Sequence, residues 1–182
     1  MMEDLDARMR RVKMLLLDVD GVMTDGGIIL GPGEIEMKRF NTLDGMGITL
    51  ARAAGVRVGI LTGRSSEAVS KRAKELKIDE VQEGSNHKEK GYQQILKKYG
   101  LRDEEIAYVG DDVFDIPILK RAGFAVCVAS GAEDAKKVSH YVTHRKGGEG
   151  AVREVVEMLL EKTGKKEAAL TSIFNSLKEG EK

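Results

Sequence analysis

Short apolar runs at residues 12–17, 56–61, 106–109 and 124–128 alternate with segments of helical period, and this alternation constrains the chain more than any other feature in it. Runs of that length fit strands covered on both faces, and strands interleaved with helices build βαβ units around a parallel sheet. A weaker strand is expected around Glu80 and Val81. Helices are expected over residues 47–54, 66–76, 88–99 and 113–122, several ending near glycine, a common stop signal. The 182 residues fit one ordinary domain and leave little room for a second. The expected architecture is therefore α/β, a three-layer Rossmann-like parallel sheet, with residues 1–182 forming one domain.

Residues 26–40 break the pattern. Two strand-like pieces, 27–30 and 34–40, flank Gly31-Pro32-Gly33, which reads as a β-hairpin with turn punctuation. In the second piece Ile35, Met37 and Arg39 share one face and Glu34, Glu36 and Lys38 the other, so one side needs a covering surface. After Gly164 comes a Lys- and Glu-rich tail, 164–182, in which Leu170, Ile173, Phe174 and Leu177 recur at helical spacing and could dock on something.

Lys plus Arg and Asp plus Glu each number 30, so no bulk charge favours nucleic acid or anionic lipid as a partner. No stretch approaches a membrane span, and residues 1–11 are charged, with no secretory apolar region. The single Cys127 lies in an apolar run and reads as a buried structural thiol, and a cytoplasmic home is expected.

Acidic side chains stand where two of the apolar strands end. Leu15-Leu16-Leu17 runs into Asp18-Val19-Asp20-Gly21, and Ile106 to Val109 runs through Gly110 into Asp111-Asp112, with Asp115 close behind. The carboxyl edge of a parallel sheet is where open α/β folds bind ligands, and two acidic strand ends there suit a hard cation such as Mg²⁺. A third strand end, Thr62-Gly63-Arg64, offers a hydroxyl, backbone N–H groups and a guanidinium, donors suited to phosphate. Ser65 and Ser66 read as caps for the following helix, and Lys88 as a flexible cation able to neutralise phosphate.

In the order Asp-x-Asp, Thr, Lys, Gly-Asp-Asp, these pieces resemble the haloacid dehalogenase superfamily of phosphatases across roughly residues 12–159. The resemblance implies a phosphoaspartyl mechanism. Asp18 attacks phosphorus, Asp20 protonates the leaving alcohol and then activates water, and Thr62 and Lys88 complete the catalytic set. Asp18, Asp111 and the backbone carbonyl of Asp20 hold Mg²⁺. For Asp20 to carry a proton, nearby negative charge is expected around it. Asp20 and Thr62 are separated by 41 residues and Thr62 and Lys88 by 25, which leaves no room for a large cap domain.

More closely, the runs 18–26, 40–45, 62–64 and 147–154 resemble the capless branch that includes 3-deoxy-D-manno-octulosonate 8-phosphate phosphatases of lipopolysaccharide precursor biosynthesis. That branch implies a homotetramer whose hairpins associate. It also implies a sugar-acid phosphate substrate held by Asp20, Asn41, Thr42, Leu43, Asp44, Gly45, Thr49, Gly63, Arg64, Arg72 and Lys88. Some members carry Arg where Leu43 and Thr49 stand. Relatives acting on nonulosonate 9-phosphates tend to have Glu where Arg64 stands, so Arg64 favours the eight-carbon acid.

Other readings fit the residues less well. An EF-hand register from Asp18 puts Val22 and Ile29 at ligand positions. A nucleotide switch at residues 26–31 lacks the Lys-Ser/Thr that its loop needs. A non-catalytic phosphate-binding module would have no use for Asp18.

Overall fold

A computed structural model describes residues 4–33, 35–85 and 87–180. Six parallel strands form the main sheet: β1 (Met14–Leu17), β4 (Arg57–Leu61), β5 (Glu80–Gln82), β6 (Ile106–Gly110), β7 (Phe124–Cys127) and β8 (Tyr141–Val142), ordered β5-β4-β1-β6-β7-β8. β2 (Ile29–Leu30) and β3 (Glu36–Met37) pair antiparallel as a separate hairpin. The helices are α1 (Leu5–Arg10), α2 (Thr42–Ala53), α3 (Glu67–Glu75), α4 (Lys88–Tyr99), α5 (Ile116–Leu119), α6 (Glu133–Val138), α7 (Ala151–Thr163) and α8 (Lys166–Gly180).

The apolar runs form strands because both of their faces are covered. In β1, Leu15 and Leu17 pack into a core with α1, α2, α3, α7 and α8, while Met14 and Leu16 pack with α4, α5 and α6. All four side chains are fully buried, the two-residue period of a strand between two helix layers. The Cys127 thiol is buried in the second layer, and burial pushes its pKa up to about 12.

Register sets up the site. Leu17 pairs with Ile60 on one side and Val109 on the other, so β1, β4 and β6 end nearly level. Asp18 follows directly, and Thr62 and Asp111 lie one step further along the neighbouring strands.

Several boundaries differ from the sequence reading. α2 starts at Thr42 rather than 47, because Asn41 caps it by accepting from the Leu43 N–H at 2.8 Å. The helix expected over 113–122 divides into a 3₁₀ turn, Val113–Asp115, and the short α5, which carries a proline in its first turn. α1, α6 and β8 have six, six and two residues, too few to show a period in the sequence. Ser66 does sit at the N-cap of α3, but its side chain makes no capping hydrogen bond.

The hairpin has the expected two faces, although Glu34 and the first residues of the chain, 1–3, lie outside the described set. Ile28, Ile29, Leu30, Ile35 and Met37 are exposed, while Glu36 and Lys38 turn toward the sheet edge. In the tail, Ala169 is buried and Leu170 and Ile173 pack on the core, whereas Phe174 and Leu177 remain exposed. Among the described residues no helix is long and apolar enough to cross a membrane.

Candidate active site

A cleft of about 300 Å³ opens at the carboxyl ends of β1, β4 and β6. Asp18, Asp20, Thr62, Gly63, Arg64, Lys88 and Asp111, all singled out from the sequence, line it. Asp18 is held firmly. Its N–H donates to Val109 O at 3.0 Å, its Oδ1 accepts from Val19 N–H at 2.7 Å, and its Oδ2 lies 2.7 Å from Lys88 Nζ. The ammonium also meets Asp115 Oδ1 at 2.6 Å. Burial works against the charge of Lys88, but the two carboxylates outweigh it and hold its pKa above the ordinary lysine value.

Asp115 is almost fully buried and organises the loop after β6. Besides Lys88, its Oδ1 accepts from Tyr108 Oη at 2.5 Å, and its Oδ2 accepts from the N–H groups of Asp111 at 2.8 Å and Asp112 at 3.2 Å. Oxygens of Asp18, Asp111 and Asp115 lie within 4.8 Å of one another. With Asp115 committed to those four donors, Asp18 and Asp111 are the carboxylates with capacity for a cation. An all-oxygen donor set fits Mg²⁺, which needs only one or two carboxylates beside water and phosphate. Burial, then charge repulsion, raises the pKa of Asp111 above the usual carboxylate range; burial does the same for Asp18 against the opposing pull of Lys88. Such a pair has electrostatic need of a counter-ion.

Backbone crowding locks the loops together. At Gly21 (φ +84°) an added Cβ would stand 2.1 Å from Asp111 Oδ2, and at Gly147 it would stand 1.6 Å from the Gly21 carbonyl oxygen. Only glycine fits either place. Gly147 and Gly148, the latter against the backbone of Thr24 and Asp25, thus brace the Asp-x-Asp loop from behind.

Asp20 has surroundings opposite to those expected. Its Oδ1 meets the Lys38 ammonium, and Arg64 Nε stands 3.8 Å from its Oδ2, so the nearby charge is positive. The same Lys38 lies 2.8 Å from Glu36, whose other oxygen takes Arg64 Nη2 at 2.8 Å. Hydrogen bonds from Lys38 and then Arg64 depress the Glu36 pKa to about 2. Neither Glu36 nor Lys38 stood out in the sequence as more than alternating hairpin charges; their i, i+2 spacing was the available signal. Asp115 was visible in sequence only as a further acid after Asp111-Asp112.

The proposed contacts around α2 do not line the cleft. Asn41 caps the helix and donates through Nδ2 to Gly148 O at 3.0 Å. Asp44, 2 % exposed, accepts from Gly150 N–H at 3.3 Å and Arg153 N–H at 2.9 Å, and so anchors the start of α7. Burial raises the Asp44 pKa in spite of these donors. Gly45 is covered by the Arg72 guanidinium, which would stand 2.3 Å from an added Cβ. Arg72 itself is bound to Glu75 and to Asn41 O. Asp44 and Gly45 thus turn to neighbours within the chain and not to the cleft. Thr42 and Leu43 are exposed beside them, and Thr49 bonds back to Gly45 O, which leaves it at a groove between α2 and α8.

A haloacid dehalogenase-like hydrolase family model matches residues 43–123. The 3-deoxy-D-manno-octulosonate 8-phosphate phosphatase KdsC of Escherichia coli is 39 % identical over 166 residues, 91 % of this chain and 88 % of that protein. The protein of the same name from Salmonella typhi is 40 % identical over 158 residues, 87 % and 84 % of the two chains. A crystal structure of 3-deoxy-D-manno-octulosonate 8-phosphate phosphatase from Moraxella catarrhalis, in complex with magnesium ion, phosphate ion and KDO, has a TM-score of 0.90 and 36 % identity. It covers 95 % of this chain and 99 % of that one. With the fold, the ordered strand-end residues and identity across nine-tenths of the length in agreement, the chain belongs to the haloacid dehalogenase-like hydrolases.

Proposed function

We propose that the protein hydrolyses 3-deoxy-D-manno-octulosonate 8-phosphate to the free sugar acid and phosphate, a step in making lipopolysaccharide precursor, with Asp18 as nucleophile. One observation carries the assignment: Asp18 is buried at a strand end, oriented by Val19 N–H and Lys88, within reach of a cation shared with Asp111. The names of the relatives supply the substrate, and the guanidinium of Arg64 suits its carboxylate.

A carboxylate cannot approach a phosphate dianion without compensating charge. Mg²⁺ held by Asp18, Asp111 and the Asp20 carbonyl would supply part of that charge and polarise the phosphoryl oxygens. Lys88 neutralises part of the remainder, and Thr62 with the Gly63 N–H receives the transferring oxygens. An Asp18 oxygen forms a bond to phosphorus as the bond to the ester oxygen breaks, and the proton on Asp20 passes to that leaving oxygen. Asp20, now ionised, takes a proton from water, whose oxygen attacks phosphorus and releases Asp18. Asn41, Thr42, Leu43 and Thr49, at the cap of α2 and along it, with Arg72 on α3, are the further contacts that this reading gives to the sugar acid.

The cleft is open, so a covering subunit is part of the same reading: a cytoplasmic homotetramer in which hairpins associate through Ile28 to Leu30, Ile35 and Met37.

Phosphate release with Mg²⁺ should be fastest on the octulosonate ester in a panel of nonulosonate 9-phosphates, hexose phosphates and nucleotides. A flat profile would remove the substrate assignment. Asp18→Asn should abolish turnover while leaving the fold intact, and near-native rates in that variant would exclude it as the nucleophile.

A further inference from the structure

Among the described residues that line the cleft, Phe114 is the one apolar side chain; the others are charged, hydroxylated or glycine. Its ring is 56 % exposed, whereas Val113 beside it, 50 % exposed, lies outside the lining. A large aromatic surface left in water at a site otherwise built for charge needs a reason.

Strand order decides what faces what. β1 lies between β4 and β6, so Asp18 at its end has the Thr-Gly-Arg loop on one flank and the loop that carries Phe114 on the other. Burial falls outward along that second loop: Asp115 is almost fully buried, Asp111 is half-buried, and Asp112 and Phe114 are exposed. The ring therefore stands at the mouth of the cleft, on the flank opposite Arg64, which is also exposed. The chain beneath the ring is fixed. Val113–Asp115 is a 3₁₀ turn in which Asp112 Oδ1 accepts from Val113 N–H at 2.7 Å and Asp112 O accepts from Asp115 N–H at 2.9 Å. Asp115 ties the far end of the turn to Lys88 and Tyr108. A ligand that used the ring would have little chain to order on binding.

A phosphate seated over Asp18 sends the rest of its ester outward between a guanidinium and an aromatic ring. A cyclic sugar acid matches that pair. Its carboxylate suits Arg64, and its C–H face, widened by the deoxy carbon, suits a ring that takes it out of water without needing a hydrogen bond. We propose that Phe114 is a specificity-determining residue: its ring receives the C–H face of the sugar acid on the side of the cleft away from Arg64. The inference rests on the octulosonate reading above and adds to it the surface that tells a cyclic sugar ester from a small phosphate ester. No bond forms or breaks at Phe114, so its contribution appears with substrates that have a sugar to place.

The test compares the octulosonate ester with acetyl phosphate, which offers a phosphoryl group and no sugar, at saturating Mg²⁺. In Phe114→Ala the ratio of kcat/KM for the octulosonate ester to kcat/KM for acetyl phosphate should fall about tenfold, the size of one aromatic contact. Inhibition by the free sugar acid should weaken to the same extent, while inhibition by inorganic phosphate changes little; these two constants carry the comparison if acetyl phosphate turns over too slowly to measure. Phe114→Tyr and Phe114→Trp, which keep a flat ring, should restore the ratio, and Phe114→Leu, apolar but not flat, should restore less of it. The leucine and tyrosine variants give the same contrast if the alanine variant does not fold. Equal losses on both esters would make the ring a prop for the loop of Asp111, and an unchanged ratio would remove it from the substrate; either overturns the proposal. A fall in sedimentation coefficient that accompanied the loss would overturn it too, since the ring would then be a contact between copies of the chain. If the unaltered protein bound and hydrolysed acetyl phosphate but not the octulosonate ester, the substrate assignment itself would fail, an outcome visible before any variant is made.

Discussion

Asp44 shows how a single carboxylate can serve folding while resembling part of a binding site. Both of its oxygens accept from N–H groups at the start of α7, donors that would otherwise be buried without partners. Asp44→Ala should cost about 1–3 kcal/mol in urea unfolding, the penalty for stranding such groups, while KM stays close to that of the unaltered protein. A tenfold rise in KM at unchanged stability would return Asp44 to the substrate. Asp18, Thr62, Lys88 and Asp111 were legible in the sequence because each stands at a strand end or opens a helix, so local pattern places it. Lys38 and Glu36 were not, because their relation to Asp20 and Arg64 exists only once the hairpin folds back over the sheet edge.

The hairpin performs two tasks with two faces. Its inward face carries Glu36 and Lys38 to the cleft, and its outward face exposes Leu30 at 74 % and Ile35 at 58 %. A surface of that kind on so small an element fits association with other copies. Leu30→Lys should therefore lower the assembly state measured by sedimentation, with helix content unchanged; an unaltered sedimentation coefficient would refute the hairpin contact. The alternation of Ile35, Met37 with Glu36, Lys38 was readable as two faces, but which face met the protein was not, since both charged and apolar strips can lie against a surface. α8 was legible only as a periodic tail. Its docking through Ala169, Leu170 and Ile173 depends on a groove beside α2 that no local pattern describes.

Across the whole molecule, the βαβ order was evident from apolar runs covered on both faces, whereas the strand order β5-β4-β1-β6-β7-β8 was not, because sequence spacing does not say which strands pair. The acids that this order gathers leave a signature in stability. Asp18 and Asp111 both have pKa values raised by folding, so without metal the folded state binds protons that the unfolded chain has released. Stability then falls as pH rises through the neutral range. Glu36 works in the opposite sense, but its depressed pKa makes its contribution disappear only in acid, as pH falls below the ordinary glutamate value toward about 2. Metal-free protein should thus melt at a higher temperature near about pH 6 than near about pH 8.5, and Mg²⁺ should raise the melting temperature most at the alkaline end. A metal-free melting temperature that climbs with pH over that range would contradict the crowding of these acids.

The brace supplied by Gly147 has a consequence for how the enzyme is made. The turn carrying Asp18 and Asp20 ends at Gly21, and the backbone that supports it at Gly147 comes 126 positions later in the order of synthesis (147 − 21). A nascent chain therefore gains its reactive geometry only once translation has passed the start of α7, and truncated products should be inert however well their early strands have formed.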